Sequence, residues 1–225
     1  GSPGIGKTTL LRAFCTRAKE RGAHVFWGRC WEDGGAPAFW PFIQVLRAIH
    51  AHYGSEVVRS WLDERCSELL SLAPELAPGA AVTARELRAD SDRTQFRIFD
   101  GLTRLLRRMA SALPEDGWGA GAAPAVVIAI EDLHAADDAS IQFLRFLSPD
   151  LGAARMLVVC TFRDLEVTQP NALATLLGGP LEHAQRFTLE GLELADVAQL
   201  ARRLLGSAVP ARTAVQLHEL SSGNP

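Results

Sequence analysis

The stretch Gly1-Ser2-Pro3-Gly4-Ile5-Gly6-Lys7-Thr8-Thr9 limits the possible folds of this chain more than any other. It fills every position of the pattern G-x-x-x-x-G-K-[ST], and a helical pattern follows at once in Leu10, Leu11, Phe14 and Ala18. Glycines let successive backbone N–H groups turn inward where a Cβ would clash, and the helix N-terminus adds positive charge. Such a loop suits phosphate groups. In this pattern Lys7 reaches the β- and γ-phosphates of a nucleotide and the Thr8 hydroxyl meets Mg²⁺.

A strand should precede this loop. The sequence starts at the loop's first glycine, has no initiator Met and stops at Gly223-Asn224-Pro225, so it is expected to be a fragment. Its 225 residues suit one large domain, or one domain with a small helical addition. A composition of 48% hydrophobic and 22% charged residues excludes general disorder. The net charge of -3 gives no global attraction to nucleic acid or anionic membrane, so direct nucleic-acid binding is not expected. Cys15, Cys30, Cys66 and Cys160 are scattered without C-x-x-C spacing, which predicts reduced structural thiols and a cytoplasmic setting. The longest apolar run, Ala122 to Ile130, is far shorter than the roughly 20 residues that span a bilayer.

Along the chain, Arg21-Gly22 stops the first helix and His24 to Gly28 reads as a strand. Trp31, Phe39, Trp40 and Phe42 suggest packing beneath a loop more than a stacking platform for a base. Helical patterns follow at Phe42, Val45, Leu46 and Ile49, and again between Ser55 and Leu76 before the Pro78-Gly79 turn. A long helix over about 93–112 puts Phe96, Phe99, Leu102, Leu106 and Met109 on one face. Arg93, Arg97, Arg104, Arg107 and Arg108 lie on the other, read as a solvated face. A Gly- and Ala-rich mobile loop is expected over Pro114 to Pro124.

Ala125 to Ile130 is apolar without a break, as a central parallel strand requires, and ends in Glu131-Asp132 before a helix over about 138–147. Met156 to Thr161 repeats the pattern and ends in Phe162-Arg163-Asp164. A crossover helix at Asn171 to Leu177 and a fourth strand at Arg186 to Leu189 complete an α/β pattern with a parallel sheet. Two helices, Leu194 to Leu205 and Thr213 to Leu220, then read as the start of a helical lid. The expected division is a core over 1–190, with a helical insertion at about 38–112, and a lid beginning at 191–225.

Acids at the C-terminal end of a buried strand lie where open α/β sheets bind ligands. One of Glu131 and Asp132, with Thr8 and the phosphates, would hold Mg²⁺, while the other orients or deprotonates the attacking water. Which does which stays open. Arg163, ending the next strand, would sense the γ-phosphate and stabilise transition-state charge, or else form a surface ion pair with Asp164 or Glu166. His134 and Asp137 could link the site to a neighbouring element, or Asp137 could cap the next helix. The only lysines are Lys7 and Lys19, which rules out the Asn-Lys-x-Asp element that reads guanine, and adenine is favoured by elimination.

The opening loop, the stretch Ile128 to Asp137, the strand end Thr161-Phe162-Arg163-Asp164 and the terminal Ser222-Gly223-Asn224-Pro225 resemble the AAA-like STAND ATPases. The match is closer still to the ATPase module of large bacterial LuxR-type and related regulators, the origin-recognition-like AAA domains. Gly28-Arg29-Cys30-Trp31-Glu32 and Ala36 to Pro41 add to it. The resemblance implies a P-loop NTPase sheet of five strands in order 5-1-4-3-2, with the strand before Gly1 between those at Phe187 and Val158. It implies ATP or ADP with Mg²⁺ between sheet and lid, Arg163 as sensor, and Asn224 and Pro225 near the nucleotide. Proteins of this kind are ADP-held when resting and ATP-bound and self-associated when signalled. They couple the module to DNA-binding or cyclase domains. Many carry Asp where this chain has Glu131. The implied function is an ATP-binding, slowly hydrolysing switch; a non-hydrolysing nucleotide module and a small-molecule P-loop kinase are the alternatives.

Overall fold

The computed structural model describes residues 1–32, 34–63, 66–76, 92–113, 126–164, 172–178 and 184–225. Three parallel strands, β1 (His24–Arg29), β2 (Val126–Glu131) and β3 (Met156–Cys160), make one sheet in the order β1-β2-β3. Gly28, Ile130 and Cys160 stand side by side, so all three strands end at one edge. The middle strand, VVIAIE, buries every residue, because helices cover both of its faces. The chain thus has the α/β architecture of a P-loop NTPase.

The two faces are covered unequally. On one, Phe26, Val126, Ile128 and Ile130 meet α2 (Trp40–Tyr53), α5 (Asp92–Ala112) and α6 (Asp138–Leu147). Leu46, Ile49, Leu102, Leu106 and Met109 are wholly buried there. Phe42 meets Phe143 edge-on at 4.7 Å between centroids, a favoured aromatic geometry. Two short helices, α3 (Ser55–Trp61) and α4 (Ser67–Leu72), close this core with Val58, Trp61 and Leu69.

On the other face, Val127 and Ala129 lie under α1 (Lys7–Glu20), the one helix of the described residues that packs there. The helix buries Leu11, Cys15 and Ala18, spaced i, i+4, i+7, while Leu10 and Phe14 from the expected stripe are exposed. A single helix over small strand residues needs only a narrow apolar seam.

The arginine face of α5 is solvated and paired within the chain. Arg97 donates to Glu68 (2.6 Å), Arg107 to Asp150 (2.9 Å), and Arg108 to Asp63 (2.7 Å) and the Trp61 carbonyl (2.9 Å). Phe39 and Phe42 are buried packing residues, whereas Trp31 is exposed.

The fourth strand expected at Arg186 to Leu189 is not formed, and the sheet of the described residues has three strands rather than five. A strand needs a neighbour to complete its ladder, and residues 186–189 pair with none among the described residues. Phe187 is accordingly 80% exposed. The crossover helix is present as α7 (Ala172–Gly178); Asn171, the loop over 114–124 and the Pro78-Gly79 turn lie outside the described residues. The tail forms α8 (Leu194–Leu205) and α9 (Ala211–Ser221), packed on each other. All four cysteines are free thiols, and burial pushes Cys30 up to about 12. No helix among the described residues is long and apolar enough to cross a membrane.

Candidate phosphate-binding site

The loop before α1 turns on two left-handed glycines, Gly4 (φ 78°) and Gly6 (φ 93°). Gly6 is the N-cap of α1 and supplies no side-chain partner, so the first N–H groups of the helix face the loop as an anion-ready end. The Lys7 ammonium folds back over the loop and donates to the carbonyls of Gly1 (2.9 Å) and Ser2 (2.8 Å). Thr8 is half-buried and Thr9 exposed in the first turn.

The chain's last residues return to this loop. Asn224 Nδ2 donates to the Pro3 carbonyl at 2.9 Å. The Pro225 ring lies 3.9 Å from where a Cβ on Gly6 would stand. Leu192 N–H donates to the Gly223 carbonyl at 2.7 Å, and a Cβ on Gly223 would fall 2.4 Å from the Leu192 oxygen, so only glycine allows this approach. A cavity of about 490 Å³ opens between these segments, lined among others by Ser2, Pro3, Ile5, Arg163, Leu189 and Asn224.

The acids stand at the sheet edge. Glu131 is buried, with Oε1 3.9 Å from Arg12 Nε and Oε2 4.0 Å from Arg29 Nε. Arg12 is four residues after Thr8, hence on the same side of α1, so Glu131 is the acid turned toward the Thr8 side. Asp132 leaves the strand in the left-handed region (φ 58°), which Asp tolerates better than most residues. Two bonds to β3's end hold that kink: Asp132 N–H to Thr161 Oγ1 (3.2 Å) and Leu133 N–H to the Thr161 carbonyl (2.8 Å). Arg29 Nε donates to the Asp132 carboxylate at 3.2 Å.

Arg163 Nη2 donates to Glu32 Oε1 at 2.7 Å, and the same oxygen is 3.3 Å from Nε2 of His134. Asp164, the ion-pair partner weighed for Arg163, instead accepts from Arg186 at 2.9 Å. Glu166 lies outside the described residues. Asp137 serves both roles considered for it: it caps α6 through Ser140 N–H (2.9 Å) and accepts from the Phe39 N–H (3.2 Å).

The fold therefore gathers Gly1, Ser2, Pro3, Ile5, Arg163 and Asn224 around one cavity, with Lys7 bonded to the carbonyls of Gly1 and Ser2, and places Glu131 and Asp132 at the sheet edge, outside that lining. Arg12, Arg29, Glu32 and Thr161 were given no role by sequence reasoning. Arg29 could have been found, because strand-end alignment sets it opposite Glu131. A glycine loop with an N-terminal lysine on a parallel sheet with strand-end acids defines a P-loop nucleotide-binding module of AAA-like type. A family model for the AAA ATPase domain matches residues 1–159, and the chain belongs to that family. Comparisons with curated proteins and with solved structures returned no match.

Proposed function

We propose that the chain is an ATP-binding, slowly ATP-hydrolysing switch module of a signalling or transcriptional regulator, of the LuxR-type STAND kind. The observation that carries this is the loop itself: it brings two left-handed glycines, an uncapped helix end and the Lys7 ammonium together, and its Gly1, Ser2, Pro3 and Ile5 line a cavity with Arg163. Residues 1–190 act as the core and 191–225 as the start of the lid. Gly1 to Thr9 hold the phosphates, with Asn224 and Pro225 bracing the loop from the tail side. The same geometry suits ADP for the resting state.

The donor set fits Mg²⁺, which takes hard oxygens and keeps several waters: the Thr8 hydroxyl and the Glu131 carboxylate on one side of α1. Bound Mg²⁺ supplies neutralisation of phosphate charge. Asp132, kinked out of the strand, positions the attacking water and takes its proton; Arg163 stabilises charge at the γ-phosphate. Arg29 pairs with Asp132 at 3.2 Å and competes for the carboxylate oxygen that would meet the water, which favours slow turnover.

The test is turnover of ATP by the full chain. Asp132→Asn should lower kcat about 10²-fold or more and leave ATP bound, whereas Lys7→Ala should lose binding itself. Wild-type hydrolysis no faster than that of Lys7→Ala would end the enzyme reading. As a cytoplasmic switch the module self-associates with ATP, with DNA-binding or cyclase output elsewhere in the regulator. Light scattering should then give a larger mass with ATP than with ADP, and equal masses would remove the switch.

A further inference from the structure

Glu32 belongs to no motif of the phosphate loop or the strand-end acids, yet three separate segments meet on one of its oxygens. Its Oε1 accepts from Arg163 Nη2 at 2.7 Å and stands 3.3 Å from His134 Nε2. Arg163 follows β3, His134 follows β2, and Glu32 follows β1, so the contact joins the ends of all three strands. Arg163 also lines the cavity beside Ser2, Pro3 and Ile5. Arg163 thus pairs with a carboxylate and also borders the space beside the loop's first residues.

We propose that Glu32 is a specificity-determining, positioning residue: it competes with the terminal phosphate for Arg163 and so sets how strongly the site prefers a triphosphate over a diphosphate. This rests on the nucleotide reading above. The Glu32 side chain is 41% exposed and that of Arg163 32%, so water screens their pair and the contact is exchangeable. A terminal phosphate, with more than one negative charge and three acceptor oxygens, offers the same planar fork a stronger, charge-assisted partner. The triphosphate wins Arg163, but its net gain is reduced by what Glu32 gives up. A diphosphate lacks the group that Arg163 would meet, and Glu32 leaves its affinity untouched.

The experiment measures Kd for ATP and for ADP by calorimetry on the full chain. In Glu32→Ala, ATP should bind about tenfold more tightly, and in Glu32→Gln, which keeps a neutral acceptor, about threefold, with ADP changed less than about twofold in both. Glu32→Asp, retaining the charge, should restore most of the wild-type ratio. In an Arg163→Ala background, Glu32→Ala should bring no further gain. An unchanged or lowered ATP preference in Glu32→Ala, equal shifts for both nucleotides, or a gain that persists without Arg163 would each overturn the role of Glu32. Wild-type protein that binds neither nucleotide would instead overturn the nucleotide reading, and this role with it. Unchanged melting curves identify the variants as folded.

Discussion

The two faces of the sheet differ in thickness, and the difference separates what holds the molecule together from what it works with. On the thick face, three long helices bury aromatic and branched side chains such as Phe42, Phe143 and Ile128. On the thin face, among the described residues, only α1 covers Val127 and Ala129, with Leu11, Cys15 and Ala18. The phosphate loop opens the thin-face helix, and Arg12 of that helix reaches the buried acid of the middle strand. A site placed on lightly packed elements can adjust to a ligand, while the other face keeps the strand ends fixed.

Substitutions can break this contrast. The largest effect is expected from Phe42→Ala on the thick face, a loss of about 3–5 kcal/mol of stability in chemical denaturation. A loss below about 1 kcal/mol would mean that the thick face is not where stability lies. Next comes Glu131→Gln, which should lower turnover about 10²-fold under the proposed Mg²⁺-holding role while shifting the denaturation midpoint little. Leu11→Ala should cost about 2 kcal/mol, the low end of such truncations, because a face packed by a single helix can collapse more readily into the void. A cost equal to that of Phe42→Ala would abolish the distinction. Smallest is Arg107→Ala, where the exposed pair with Asp150 should be worth less than about 0.5 kcal/mol in the same measurement.

Much of this was legible in residue order. The unbroken apolar run before Glu131 marks a strand buried on both faces, and the glycine spacing before Lys7 marks the loop, because each needs only local chemistry. The helices of the tail were readable for the same reason, their apolar periodicity being strong. Other features depend on distant partners. Phe14 has helical spacing suited to a core, but whether it is covered depends on what lies above α1, and it is exposed. Arg186 to Leu189 has strand-like residues, yet a strand exists only where a neighbour supplies its ladder. Glu32 stands 131 positions from Arg163, and no local pattern encodes a pair at that separation.

Asn224 follows α9 by three residues and is bonded to the loop through Pro3, so the last helix and the first turn of the chain are mechanically in series. A tilt of α9 would pull on Pro3, the residue next to the left-handed Gly4, whose backbone is conformationally permissive. The Asn224 side-chain amide is therefore a drawstring: a shift of the helical tail would reach the mouth of the loop without passing through the sheet.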